Sequence, residues 1–322
     1  MGTPAWQALI DAYREREDAS ARRLLVTVFG DSIEPRGGCI WLGDLIALVE
    51  PVGIGERLVR TSVGRLVADG LLQNRRVGRR SRYEVTGAAR RDFRAAERRI
   101  YHPARVGWDG HWTVVVATGE RPSEERAALR MRLGWQGFAE VAPAVLVRPS
   151  APDAEVRELV GPDVVVLRAD GGADDDRALL AASHELEPLT AAYAELAARY
   201  RPVLTAATAA TVPEPEAFLV RTLLVDDYRR LLLRDPGLPT PLLPEPWPGD
   251  EAARVVAALY RAVDAAAERH LTATCTGPGG EPLPERDPAL PERFPIAPAA
   301  PAADDGATNA PVRVLCPADH TS

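Results

Sequence analysis

GIGERLVRTSVGRLVADGLLQNRRVGRRSRYEV, residues 53–85, is the stretch that decides how this chain reads. It holds eight arginines against three acidic residues, although the chain as a whole has a net charge of -7. At about 100° per residue, the segment from Glu56 to Asp69 divides into two helical faces. Val59, Val63, Leu66 and Val67 share one; Arg57, Arg60, Thr61, Gly64, Arg65 and Ala68 share the other. The first face is built to pack and the second to stay in water. Gly70 closes the helix, and Leu71–Val77 and Arg79–Val85 then alternate around Gly78 as a hairpin. A phosphate backbone attracts positive charge whatever its bases, so a basic island on an acidic chain marks a face that meets nucleic acid. The alternative is a solvated basic helix and hairpin, but an ordinary solvated face mixes signs rather than collecting arginine.

Working outward, Ser20 can cap a helix from Ala21 to Phe29, ended by Gly30 and Asp31. Pro35-Arg36-Gly37-Gly38 predicts a turn, Cys39–Trp41 a short strand, and Leu42–Val49 a helix stopped by Pro51 and Gly53. The sum is a winged helix-turn-helix over residues 20–86. In such a unit Arg57, Arg60, Thr61, Ser62 and Arg65 are placed to read the major groove of double-stranded DNA. Arg75, Arg76, Arg79, Arg80 and Arg82 are placed to grip phosphate or a narrow minor groove.

Composition bounds the remainder. A chain of 322 residues with 46% hydrophobic content holds several cores, while its 29 prolines imply some unfolded chain as well. No apolar run nears the roughly 20 residues that span a bilayer, and the opening MGTPAWQALIDAYRERED is charged, without a signal-peptide core, so cytoplasm is the expected location and no membrane partner is expected. Cys39, Cys275 and Cys316 lie far apart with no Cys-x-x-Cys spacing, which encodes neither a zinc site nor a disulfide framework; no cofactor or metal is expected.

Thr86–Tyr101 reads as a charged connecting helix. Strand Trp112–Ala117, helix Ser123–Leu133, strands Phe138–Val141 and Val145–Arg148, helix Ala154–Leu159 and strand Val164–Arg168 follow in β-α-β-β-α-β order, which is ferredoxin-like. Asp175–Arg199, Pro215–Leu233 and Asp250–Leu271 carry apolar residues at helical intervals. The fold class is therefore α+β multidomain. It comprises an N-terminal extension (1–19), the winged helix (20–86), a linker helix (87–105), the ferredoxin-like domain (106–172), a C-terminal helical domain (173–275) and a disordered Pro/Ala-rich tail (276–322), whose removal is expected to leave DNA affinity nearly unchanged.

Several stretches resemble the PaaX-type repressors of phenylacetic acid degradation. RRLLVTVFGDSIEPRGGCIWLGDLIALVEPVGIGERLVRTSVGRLVADGLLQNRRVGRRSRYEVT is similar to that family's winged-helix domain from end to end. WDGHWTVVVATG, LRMRLGWQGFAEVAPAVLVRP and the run from FLVRTLLVDDYRRLL to AERHL fit its later parts, so the resemblance covers residues 20–271. It implies a Cas2-like central domain, pairing as a homodimer, an inverted-repeat operator and control of aromatic acid catabolic genes. It also implies release by an acyl-coenzyme A effector, phenylacetyl-CoA. The family's C-terminal helix carries a His-Glu pair where this chain has Asp226-Asp227, which leaves room for a different aromatic acid or acyl-CoA effector.

Arg221, Arg229 and Arg230 on the Pro215–Leu233 helix have two readings: they hold coenzyme A phosphates, or they pair with Asp226, Asp227 or Asp235. Trp108 and Trp112 are candidates for an aromatic effector pocket, against the plainer reading that they, like Trp135 and Trp247, are core. A metal-dependent nuclease reading rests on Asp109 alone beside the first central strand, short of the carboxylate set hydrolysis needs. The run Asp170 to Asp176 is not a calcium loop, because its twelfth position is Ala181. His102, His111, His184, His270 and His320 form no cluster, and no hydrolase motif accompanies them, so no catalytic residue is assigned and the chain is not expected to be an enzyme.

Overall fold

The computed structural model describes residues 2–16, 20–103, 107–118, 122–134, 136–149, 156–157, 160 and 163–295. In chain order its elements are α1 (Ala5–Arg14), α2 (Ala21–Val28), β1 (Cys39–Trp41), α3 (Leu42–Val49), α4 (Glu56–Ala68), β2 (Leu72–Val77), β3 (Arg80–Val85) and α5 (Gly87–Tyr101). Then come β4 (Trp112–Ala117), α6 (Ser123–Gly134), β5 (Ala139–Ala142), β6 (Val145–Pro149), β7 (Val164–Ala169), α7 (Ala173–Ser183), α8 (Leu186–Ala209), α9 (Glu214–Leu232) and α10 (Pro248–Thr274). The chain forms two compact units. Of the described residues, one unit joins those up to 103 to 193–232 and 248–295; the other joins those from 107 to 192 with 233–247.

In the first unit the Ser20 hydroxyl caps α2, accepting from the Arg23 N–H at 3.3 Å. The chain does not break at Gly30 and Asp31 as the sequence suggests. It continues through a π-helical turn, Phe29–Ile33, and a 3-10 turn, Glu34–Arg36, before Gly37 reverses it with φ of 91°. Tertiary contacts override the weak local preference there: Gly30 lets the Phe93 ring approach its backbone, and Asp31 is buried among side-chain donors.

Strand β3 pairs antiparallel with both β1 and β2, giving the order β1-β3-β2. The β2–β3 hairpin turns at Gly78, whose φ of 61° suits glycine. Leu24, Leu25 and Val28 of α2, Leu45 and Leu48 of α3, and Val59, Val63 and Leu66 of α4 are buried, so each helix turns its predicted apolar face inward.

The domain layout differs from the linear one expected from sequence. Helix α5 is more than a linker, because Ala89, Glu97, Ile100 and Tyr101 are buried in this unit. Helices α9 and α10 also belong to it, rather than to a separate helical domain over 173–275, and α9 packs against α10, α1, α2 and α5. The expected disordered tail is corrected for its first part: Leu283, Arg293 and Phe294 are buried in the same unit. Residues 296–322 lie outside the described residues.

A network of ions holds these parts together. Arg36, Arg221, Arg286 and Arg293 meet the carboxylates of Asp31, Glu97, Asp264 and Glu268. Asp31 accepts from the Tyr101 hydroxyl at 2.6 Å and from Arg293 Nη1 at 2.9 Å, with Arg221 Nε at 3.2 Å. Arg221 Nη1 reaches Asp264 at 2.7 Å and Glu268 at 2.5 Å; Arg293 Nη2 reaches Glu97 at 3.0 Å; Arg286 reaches Asp264 and Glu268; Arg36 pairs with Glu268. Burial alone would push the Asp31 carboxyl up, but the Arg221 and Arg293 charges and the Tyr101 hydroxyl hold it well below the ordinary carboxylate range. The Arg36 guanidinium is brought down to about 10 by burial and by the neighbouring arginines.

In the second unit the strands lie in the order β5-β6-β4-β7, every neighbouring pair antiparallel. This is the order a β-α-β-β-α-β chain adopts when its first and third strands lie centrally. Helix α6 covers one face through Leu129 and Leu133 against Val115, Leu146 and Val166; Leu179, Leu180 and Leu242 cover Trp112 and Val147 on the other. Of the predicted helix Ala154–Leu159 only Val156 and Arg157 are described, both helical. Among the described residues no helix is long and apolar enough to cross a membrane.

Candidate nucleic-acid interface

Helix α4 starts after Gly55 and stops where Gly70 takes a φ of 74°. With Val59, Val63 and Leu66 fixed inward, helical periodicity leaves Arg57, Arg60, Thr61, Gly64 and Arg65 exposed. Arg60 is tied to Glu56 one turn earlier, its Nε at 2.7 Å, and the Thr61 hydroxyl donates to the Arg57 carbonyl at 3.0 Å. Ser62 is a correction. At 4% exposure it lies on the packed side of the helix, so it cannot touch a base edge.

On the hairpin, Arg75, Arg76, Arg79 and Arg80 are exposed, whereas Arg82 is half-buried. Glu84 pairs with Arg75 at 3.1 Å and Arg82 at 2.5 Å. The Arg80 guanidinium lies over the Trp41 ring, 4.3 Å from its centroid, and Arg82 is 5.9 Å from the same ring. Of the acidic residues in this segment, Asp69 is bonded to Arg22 of α2, outside the basic segment. Two apolar side chains that the charge pattern hid are also exposed here, Leu58 at 48% and Val77 at 51%. Their signal in the sequence was an apolar residue on the basic face of α4 and one at the hairpin tip.

The effector candidates fall in two different units. Trp108 and Trp112 belong to the second unit and contact each other edge-on, 6.3 Å between centroids. Trp112 is buried, its indole N–H donating to Asp176 at 2.8 Å, and Trp108 donates to the His111 carbonyl at 3.0 Å. Trp135 lies outside the described residues. Arg221, Arg229 and Arg230 belong to the first unit. Arg221 is fully buried in the ion network, with partners Asp31, Asp264 and Glu268 rather than the neighbours at helical spacing, which corrects its placement as a phosphate ligand. Arg229 and Arg230 lie 3.6 Å from Asp226 and 3.9 Å from Asp227 respectively, as helical spacing allows.

The Asp226-Asp227 pair itself reaches much farther along the chain. Asp226 accepts from Arg23 Nε at 3.0 Å and from the Thr27 hydroxyl at 2.8 Å, both on α2. Asp227 accepts from Arg16 at 3.2 Å, Arg199 at 2.9 Å and the Tyr200 hydroxyl at 2.9 Å. In the second unit Asp109 is engaged by Arg168 Nη2 at 2.8 Å. Asp176 of the aspartate run is taken by Trp112, and Asp175 accepts from the Gly172 N–H at the start of α7. Among the described residues no group of three or more His, Cys, Asp or Glu side chains is arranged to hold a metal ion.

The whole chain can be set against known proteins. The family model of the PaaX-like protein matches residues 20–89, that of the PaaX protein central Cas2-like domain matches 105–167, and that of the PaaX-like protein C-terminal domain matches 184–273. The Escherichia coli (strain K12) protein named transcriptional repressor PaaX is 37% identical over 260 residues, covering 77% of this chain and 82% of that one. Among solved structures, the uncharacterized protein Rv0674 from Mycobacterium tuberculosis is similar at a TM-score of 0.52 and 27% identity, covering 79% of this chain and 98% of that one. With three family models matching in order and this level of identity, the chain belongs to the PaaX family.

Proposed function

We propose that the protein is a transcriptional repressor, not an enzyme, which binds an inverted-repeat operator as a homodimer and leaves it when an acyl-coenzyme A effector binds. The observation that carries this reading is the row of exposed arginines, Arg57, Arg60 and Arg65 on α4 with Arg75, Arg76, Arg79 and Arg80 on the hairpin, on a chain of net charge -7. In this reading α2 to β3 is a winged helix-turn-helix. Helix α4 enters the major groove, where arginine bonds guanine bidentately and Leu58 meets a thymine methyl, and the β2–β3 hairpin is the wing on the phosphates. Arg82 steadies the wing rather than reaching outward.

The E. coli relative's name supports repression, and we take intracellular action on aromatic acid catabolic genes as part of the same proposal. Strand β7 lies at the edge of its sheet with Val165 at 42% and Leu167 at 49% exposure, which supports pairing of two copies through this domain. Phenylacetyl-CoA is the first effector to test. Asp226-Asp227 stands where the family carries His-Glu, which favours a second reading with another acyl-CoA or aromatic acid.

Fluorescence anisotropy on the gene's own upstream DNA, with phenylacetyl-CoA, phenylacetate and coenzyme A added in turn, tests both. Release by the thioester alone supports the whole reading. Specific binding that none of them relieves removes this effector, and absence of specific binding removes the repressor.

A further inference from the structure

We infer that the segment following α10, Cys275 to Glu281, is a positioning element for the DNA-gripping hairpin. It seats Arg80 through Trp41 and Asp44, in a manner that rests on the hairpin's role as a wing. Arg80 has a long, flexible side chain that is 58% exposed, and left alone it would sample many rotamers. Instead its guanidinium lies on the Trp41 ring at 4.3 Å and 3.8 Å from Asp44 Oδ1. Backbone pairing of Trp41 with Arg82 sets β1 beside the hairpin, but the Trp41 indole N–H and Asp44 Oδ2 take their hydrogen-bond partners from outside the basic segment.

The Trp41 indole N–H donates to the Gly277 carbonyl at 3.0 Å. Asp44 Oδ2 accepts from both the Thr276 N–H, at 2.9 Å, and the Thr276 hydroxyl, at 3.1 Å, which turns Oδ1 toward Arg80. The segment is also bonded within itself. Thr276 bridges to Pro282, the Gly277 N–H donates to the Glu281 carbonyl at 2.7 Å, and Gly280 closes the turn with φ of 93°. Farther on, Arg286 and Arg293 lock the same strand of chain into the ion network with Asp264, Glu268, Asp31 and Glu97. The hairpin's grip is thereby wired to the end of α10, beyond the residues 184–273 that the family's C-terminal model matches.

The test is a double-mutant cycle on the full chain, read as operator affinity and as the slope of log Kd against log salt. Trp41→Phe keeps a ring under Arg80 and removes the donor to Gly277; Thr276→Val removes one of the two bonds to Asp44. Each is expected to weaken operator binding about threefold to tenfold, the effect of one net hydrogen bond. Each should also lower the salt slope toward that of Arg80→Ala, since a phosphate contact contributes about one unit of slope. In the Arg80→Ala background both effects should vanish.

A purely structural role would leave the salt slope unchanged, so unchanged slopes, effects that add to Arg80→Ala, or an Arg80→Ala chain that binds like the parent would each overturn the inference. A parent chain that binds no specific DNA overturns the repressor reading, and is distinguishable because it needs no variant.

Discussion

Arg221→Met is the perturbation that best separates a structural arginine from a ligand-binding one. The guanidinium is wholly buried, with Asp31 at 3.2 Å, Asp264 at 2.7 Å, Glu268 at 2.5 Å and the Ser32 hydroxyl at 3.1 Å. Removing one partner of a buried ion pair costs about 3–5 kcal/mol, because the charge left behind has neither water nor a counter-ion. Here each abandoned carboxylate keeps at least one other cation: Arg293 stays on Asp31, Arg286 on Asp264, and both Arg286 and Arg36 on Glu268. Methionine also replaces most of the lost volume. The loss should therefore fall at the lower end, about 3 kcal/mol, which for a unit of this size lowers the melting temperature by about 6–12 °C. Urea and thermal unfolding followed by circular dichroism measure it. Arg229→Met serves as the contrast: its ion pair is long, at 3.6 Å, and its side chain retains 19% exposure. It should lose about 1 kcal/mol or less. A loss below about 1 kcal/mol for Arg221→Met, with effector response abolished, would refute the argument and return Arg221 to the ligand site.

Three other outcomes are expected. Arg60→Ala or Arg65→Ala should weaken operator binding by about 1–3 kcal/mol and flatten base preference across an operator panel, whereas Arg79→Ala should weaken all sequences alike and reduce the salt slope by about one; uniform loss for Arg60→Ala would contradict base reading by α4. Because the folded Asp31 carboxyl is held below its unfolded value near 3.9, it contributes stability that is fully present above that pH and lost as pH falls through the lower folded value. The parent should lose stability more steeply than Asp31→Asn on acidification below about pH 4, and parallel curves would count against the network. Ending the chain at residue 295 should leave its melting temperature near the parent's, while ending it at 275 should lower it sharply, since Arg286, Arg293 and the buried Phe294 go with the deleted segment; equal melting temperatures would restore the dispensable tail.

The elements of the basic segment were legible because local patterns encode them. Periodicity of 3.6 fixed the inward face of α4, and the glycines at 70 and 78 marked its end and the hairpin turn. The same periodicity sorted the arginines outward without any knowledge of partners. Ser62 was misplaced because a small polar residue at a face boundary carries no hydrophobic signal, and burial against a neighbouring helix decides it. Four strands in β-α-β-β-α-β order were likewise readable, and their observed order follows from that connectivity.

The sequence by itself determined the helices and strands, the basic face and the family resemblance, since each depends on residues close together along the chain or on motifs in order. Only the tertiary structure decided that α9, α10 and residues 275–295 belong to one unit with α2, β1, α3, α4 and the β2–β3 hairpin. The contacts responsible, Asp31 with Arg221 and Arg293, Asp226 with Arg23 and Thr27, and Trp41 with Gly277, join residues some 190 to 262 positions apart. A lone arginine in a helix or a proline-rich terminal stretch carries the same local signal whether it faces solvent or a buried carboxylate. Desolvation, which makes the second case hold only when the partner is present, is a property of the folded chain.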